Sequence, residues 1–228
     1  MSPLDQHRAI VRPRAWRRSR RSPRGPLSVV RSSLVTKGRS RGRTGPLHGE
    51  ATPVGSANKG LSKIEVMLKW DPSPLGAPDH DLDLIAGTFT ADAPHGPPAY
   101  LVHFDSRSPD GTITLNRDSK TGQGLGTDEE MTLELDRLGD AYTRVLVGVA
   151  IQQGDGELTF GEVAQPHLRV VEDRDELAQY DFGEVPDATA ATLGEFFREP
   201  GGVWQFRRNV RGFQQVDAQT FGQRMGEA

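Results

Sequence analysis

The chain has 228 residues and no cysteine, with 35% hydrophobic and 7% aromatic residues and 28 Lys and Arg against 31 Asp and Glu. That length allows one sizeable core or two small ones, and the lack of thiols excludes disulfides, Cys-ligated zinc, iron–sulfur clusters and cysteine nucleophiles. No run approaches the roughly 18 apolar residues that a membrane-spanning helix needs.

The near-neutral total hides a sharp asymmetry. Residues 1–60 hold 14 bases and two acids, a net of +12, while residues 61–228 carry −15. The basic stretch has few large apolar residues, many Ser, Pro and Gly, and no sustained period. Such a segment cannot offset the entropy of ordering its backbone, which predicts a disordered basic arm over 1–57 and a folded domain over 58–228. Clustered arginine releases counterions from phosphates, so the arm could tether nucleic acid or an anionic membrane; nucleic acid is not expected as a partner otherwise. Two plainer readings stand beside this one: an inert tail, or translation upstream of a true start in GC-rich DNA. The arm's only apolar piece, Leu27 to Val30, is far too short for a secretory signal, so a cytoplasmic location is expected.

From Lys63 the pattern turns to period two. Ile64, Val66, Leu68 and Trp70 share one face, with Glu65, Met67 and Lys69 on the other, as in a half-buried strand that Asp71-Pro72-Ser73-Pro74 then stops. Leu82 to Thr90, Ala99 to Phe104 and Gly111 to Leu115 read as further short strands between Pro, Gly and Asp clusters. Met131, Leu133 and Leu135 alternate with polar residues in another. Arg144 to Gln152 is dense in Val and Ile, as a central strand covered on both faces would be. His167 to Glu172, Glu176 to Phe182 and Val203 to Val210 continue the series. Thr189 to Arg198 is ambiguous: its alanines favour helix, while its place before the turn Glu199-Pro200-Gly201-Gly202 suits a hairpin arm. Asp217 caps a predicted short terminal helix carrying Phe221 and Met225. Many short strands, close turns and little helix predict an all-β antiparallel sandwich with a short C-terminal helix.

Two segments concentrate oxygen ligands. In Asp79-His80-Asp81-Leu82-Asp83, entering a strand, period two predicts that the three carboxylates point to one side and Leu82 and Leu84 to the other. Like charges this close repel unless protonated or bridged by a cation. The second segment, Asp118 to Glu130, holds Gly122, Gly124 and Gly126, which let the backbone curl so that carbonyl oxygens face inward. Carboxylates, hydroxyls and carbonyls in a flexible loop suit calcium, and the lack of thiols and of a regular His pair disfavours zinc and copper. Neither segment is an EF-hand: counting from Asp79 the sixth residue is Leu84, and from Asp118 it is Gln123, where that loop needs glycine. The plain alternative is a solvated turn and a glycine linker.

Other chemistries fare worse. The alternate glycines have neither the Gly-Lys-Ser/Thr ending nor the GxGxxG spacing of a phosphate loop. Asp79 and Asp81 follow Pro72, Pro74 and Pro78 rather than the apolar strand an aspartyl nucleophile needs. His80, His95 and His103 lie near the acids at no catalytic spacing, and Trp70, Trp204 and Phe206 fit a core better than a stacking platform. No catalytic set emerges.

Across about residues 58–214 run Lys59-Gly60-Leu61 leading to Trp70-Asp71, then Asp79-His80-Asp81-Leu82-Asp83, then His103-Phe104 with Ser108-Pro109-Asp110-Gly111, then the loop Asp118 to Glu129. Phe160-Gly161-x-Val163, Leu168 to Val171, Glu176 to Asp181, Gly194 to Arg198 and Trp204-Gln205-Phe206 follow in order. These ordered motifs resemble the TerD family of tellurium-resistance and stress-response proteins. Asp79 to Asp83 is similar to the family's Asp-Phe-Asp-Leu-Asp, and the loop is similar to its Gly-Asp-Asn-x-Thr-Gly-x-Gly-x-Gly-Asp-Asp-Glu.

The resemblance implies a β-sandwich that binds calcium through the two acidic segments. It makes Asp81, Asp83, Asp118, Thr121, Asp128 and Glu129 the expected ligands, with Asp79 and carbonyls around Gly124 completing the shell. Ser119 stands where the family usually has Asn and Thr127 where it usually has Asp, which should weaken one of two sites. The expected function is a non-enzymatic calcium-binding module of a tellurite-resistance or general stress response, acting through other stress-response proteins. The rival expectations are a metal-dependent hydrolase or phosphoesterase with His80 or His103 as base, and a nucleic-acid or membrane adaptor acting through the basic arm.

Overall fold

The computed structural model describes residues 60–154 and 157–228; the arm expected over 1–57, and with it the domain boundary, lies outside the described residues. Among the described residues ten antiparallel strands form two five-stranded sheets. The first sheet has the order β4 (Ile113–Arg117), β5 (Glu129–Glu134), β1 (Lys63–Lys69), β7 (His167–Glu172) and β8 (Asp175–Tyr180). The second has the order β10 (Trp204–Phe213), β9 (Ala190–Arg198), β6 (Tyr142–Ile151), β2 (Leu82–Thr90) and β3 (Tyr100–Val102).

In β1 and β5 of the first sheet the period-two pattern survives intact. β1 buries Ile64, Val66 and Leu68 and leaves the residues between them partly or fully exposed, and Met131 and Leu133 of β5 join the same core. Facing them across the sandwich are Leu82, Leu84, Ala86, Val147, Val149, Leu193 and Phe196 of the second sheet. The outer face of that second sheet is covered as well. Ile85, Phe89, Leu146, Ala150 and Ala190 pack there with Phe213, Phe221 and Met225, under helix α1 (Ala218–Arg224). Asp217 caps α1 as expected, its Oδ1 accepting from the Thr220 N–H at 2.6 Å.

Burial on both faces explains the ambiguity at Thr189 to Arg198: it is strand β9, a hairpin arm paired with β10, and its alanines fit beneath a packed helix. β6 is central, as its Val and Ile content predicts. β3 is shorter than the expected Ala99 to Phe104, because His103 and Ser106 bridge to one another and turn the chain away. Trp70 falls just past β1 and β10 runs three residues beyond Val210, with a bulge between Arg208 and Arg211.

Strand pairing gathers both acidic segments at one end of the sandwich. Leu68 at the close of β1 pairs with Glu129 at the opening of β5, and Leu82 at the opening of β2 pairs with Ile151 at the close of β6. Residues 70–81 and 118–128 are therefore neighbouring loops. Among the described residues no helix is long and apolar enough to cross a membrane.

Candidate metal centre

Trp70 is the post on which both loops hang. Fully buried at the end of β1, it donates its backbone N–H to Asp128 Oδ2 at 3.1 Å and its indole N–H to the His80 carbonyl at 2.9 Å. The Asp128 N–H donates to the Leu68 carbonyl at 2.9 Å, closing the second loop onto the first strand. Gly122 lies against the same indole with φ +64°.

This scaffold brings carboxylates together. Asp83, Asp118 and Glu129 each place an oxygen so that all three lie within 4.8 Å of one another. Glu129 is completely buried and Asp83 is 2% exposed, whereas Asp118 reaches in from the surface. β3 pairs with β2 only over Ala86 to Thr88, which leaves the Leu84 N–H without a strand partner, and Glu129 Oε2 accepts from it at 2.5 Å. The other Glu129 oxygen, Asp83 Oδ2, Asp81 Oδ1 and Asp128 Oδ1 are buried without a hydrogen-bond partner. Burial, then the neighbouring Asp81, pushes the Asp83 carboxyl up to about 7. Burial, reinforced by Asp118 and Asp83, pushes Glu129 up to about 10 despite the Leu84 N–H. Burial, followed by Asp118, raises Asp81 to about 6.

Such a cluster has two ways to shed its repulsion, a proton or a metal ion. Oxygens on opposite sides of a calcium ion at about 2.3–2.6 Å each are about 5 Å apart, so the spacing of the three carboxylates suits one shared ion. Partnerless oxygens buried within hydrogen-bond reach of nothing else are what a coordinating ion would satisfy. The donors are oxygens, the chemistry of a hard divalent cation rather than of zinc or copper.

The remaining expected ligands occupy different stations. Asp81 flanks the cluster, half-buried. Asp79 is exposed and lies, with Asp81, ahead of the strand, which begins only at Leu82. The three carboxylates of that segment therefore do not share one strand face, because the prolines before Asp79 keep the chain in a loop too long for period two to apply. Asp128 is buried, but its Oδ2 is held by the Trp70 N–H and paired with Lys69 Nζ at 3.8 Å, so it anchors the loop. Thr121 Oγ1 accepts from the Gln123 N–H at 3.3 Å, and Gly124 and Gly126, at φ +129° and +92°, carry the loop through open solvent. Of the two histidines considered as bases, His103 accepts from the Asp105 N–H at 3.3 Å within its own turn, and His80 Nδ1 is buried without a partner. Sequence reasoning assigned Trp70 to the core and missed its second task. The usable signal was its position, immediately between a strand and the first acidic segment.

Comparison with known proteins gives a consistent answer. The TerD domain model matches residues 47–218. The tellurium resistance protein TerD of Alcaligenes sp is 30% identical over 152 residues, covering 64% of this chain and 79% of that protein. General stress protein 16U of Bacillus subtilis is 28% identical over 173 residues, covering 73% and 89%. Among solved structures, SCO6318 of Streptomyces coelicolor A3(2), described as a homologue of telluride resistance protein (TerD), is 53% identical with a TM-score of 0.72, covering 74% of this chain and 99% of that one. The protein SAV2460 is 55% identical with the same TM-score of 0.72, covering 75% and 99%.

Proposed function

This chain belongs to the TerD domain family, and on that premise we propose that it is a calcium-binding, non-enzymatic module of a tellurium-resistance or general stress response. It would work in the cytoplasm by presenting a calcium-ordered surface to other stress-response proteins. The observation that carries the reading is the trio Asp83, Asp118 and Glu129 within 4.8 Å, two of them buried with partnerless oxygens. Those three side chains would hold the ion, with Asp81 beside them. The ion would neutralise the cluster and tie the loop of Asp118 to the strands of Asp83 and Glu129, favouring the folded state by ligand linkage. His103, one of the two histidines weighed as a base, is held in its own turn by the Asp105 N–H, which supports a structural role for it.

The test is a calorimetric calcium titration of the chelator-stripped chain, with thermal melts in parallel. A saturable binding isotherm and a melting temperature raised by calcium are expected, with both lost in Asp83→Asn. Identical melts in calcium and in chelator, with no heat of binding, would overturn the reading. Turnover of phosphoesters by the calcium-loaded chain would overturn its non-enzymatic part.

A further inference from the structure

Among the described residues three large apolar side chains stand exposed, Leu75, Phe104 and Leu125, and two of them crown the loops of the candidate metal centre. Leu75 is 107% exposed and Leu125 is 96% exposed. Neither is a by-product of a loosely packed core. Leu75 occupies the first corner of a turn closed by the Ala77 N–H on the Pro74 carbonyl, with Gly76 at φ +86° supplying the second corner. Leu125 sits between Gly124 and Gly126, both at positive φ and both with open space around them. The backbone is thus shaped to raise each leucine away from the body. Below, the loops are pinned to the one Trp70 side chain, through Gly122 and the His80 carbonyl, so both tips project from the same end of the sandwich.

We propose that this end of the molecule is a calcium-switched membrane-docking surface, on which Leu75 and Leu125 enter the hydrocarbon of an anionic bilayer. The inference rests on the calcium reading above and adds the kind of surface that the loaded protein meets. A bilayer fits better than a protein partner because each leucine projects singly and almost completely exposed, and fluid hydrocarbon needs no matching shape. Isolated apolar side chains give only weak partitioning, so a second attraction is required. Lys120, exposed on the same loop, supplies part of it. The carboxylates of Asp79, Asp81, Asp83 and Asp118 oppose it, repelling lipid phosphates until divalent charge neutralises them. Calcium would therefore act as the switch, and the leucines as the anchor.

The absence of cysteine allows a clean measurement on the full chain. Leu75→Cys, Leu125→Cys and Gly201→Cys each take one environment-sensitive fluorophore. Gly201 is exposed in the β9–β10 turn at the opposite end, with nothing within 4 Å of an added Cβ. With phosphatidylglycerol-containing vesicles, calcium should shift the emission of the labels at 75 and 125 to the blue and expose them to quenching by acyl-chain nitroxides. The label at 201 should stay in water under all conditions, which separates insertion from any adhesion of the basic arm. Leu75→Ser with Leu125→Ser should weaken calcium-dependent vesicle binding at least about tenfold, from the transfer free energy of one leucine, and leave the calorimetric calcium isotherm unchanged. A chain that binds calcium in the calorimeter while both loop labels remain in water overturns the docking inference alone. A double-serine variant that binds vesicles as tightly as the parent also overturns it. Failure to bind calcium at all overturns the metal reading, and the switch with it.

Discussion

The Trp70 indole fills the space into which any side chain at Gly122 would grow: a Cβ there would lie 2.5 Å from Nε1 and 2.7 Å from Cδ1. The backbone compounds the restriction, since Gly122 has φ +64°, a conformation that costs a residue with a Cβ about 1–2 kcal/mol. Gly122→Ala is therefore expected to displace the loop from Trp70 and loosen Asp118 from Asp83 and Glu129. Calorimetry should show calcium affinity reduced at least tenfold. Gly124→Ala meets no neighbour, although its φ of +129° still carries strain, and should weaken calcium binding less. Equal losses in the two variants would show that Trp70 is not the post on which the loop depends.

Charge and shape can be separated at Glu129. Its Oε2 accepts the otherwise unpaired Leu84 N–H, and a glutamine carbonyl can do the same. A carboxyl pushed up to about 10 is already neutral in the metal-free chain, and Glu129→Gln keeps that neutral state and the hydrogen bond while removing the charge a cation would meet, so the metal-free chain should melt no lower than the parent and the rise on adding calcium should vanish. Asp110→Asn makes a useful contrast. Asp110 Oδ1 accepts from the Thr112 N–H at 3.1 Å and from Thr112 Oγ1 at 2.7 Å, a local turn outside the cluster. Its loss should leave the calcium response intact.

Much of this was legible in the sequence for physical reasons. Where one face of a strand meets the core and the other water, as in β1, alternation writes the burial pattern directly. Where both faces are covered, as at Ala190 to Arg198, that signal cancels, and only the turn at Glu199 to Gly202 hinted at a hairpin. The candidate site divides in the same way. Asp83, Asp118 and Glu129 were legible because their two segments crowd carboxylates, the second with three alternate glycines, and because both segments resemble TerD motifs. The exposure of Asp79 and the anchoring of Asp128 depend on loop length and on a tryptophan 58 residues away, which no local pattern carries.

The cluster also predicts an unusual pH dependence. Asp81, Asp83 and Glu129 titrate near 6, 7 and 10 in the folded, metal-free chain, above the ordinary carboxylate range. The folded state holds protons that the unfolded chain has released, so their contribution to stability is complete below about pH 4 and is lost as pH rises through about 6 for Asp81, 7 for Asp83 and 10 for Glu129. Between about pH 5 and pH 8 the metal-free chain should lose stability steadily. Calcium competes with those protons, so the stabilisation it gives should grow over the same interval. Melts in chelator and in calcium across the range would check both slopes; a metal-free chain that gains stability toward pH 8 would contradict the assignment.

A second buried charge governs the other side of the second sheet. Glu195 on β9 is 2% exposed and gathers Arg144 Nε at 2.9 Å, Arg207 Nη2 at 2.8 Å and Asn209 Nδ2 at 2.9 Å, the last delivered by the bulge in β10. Burial alone would raise its carboxyl, but the hydrogen bonds from Arg207, Arg144 and Asn209 outweigh that and hold it below the usual range. Arg144, itself buried, extends the network by donating to the carbonyls of Pro94 at 2.6 Å and Gly226 at 3.1 Å and to the main-chain oxygen of Ala228 at 2.6 Å. Glu195→Ala strands the Arg144 guanidinium without its counter-charge, which costs about 3–5 kcal/mol in comparable buried pairs. Arg144→Met with Glu195→Leu removes both charges at similar volume and should recover much of that loss. Denaturant unfolding of the single and double variants measures the difference. If the single variant proves as stable as the parent, the network is a passive decoration of the sheet and the packing of α1 alone holds the segment from Gly226 to Ala228 in place.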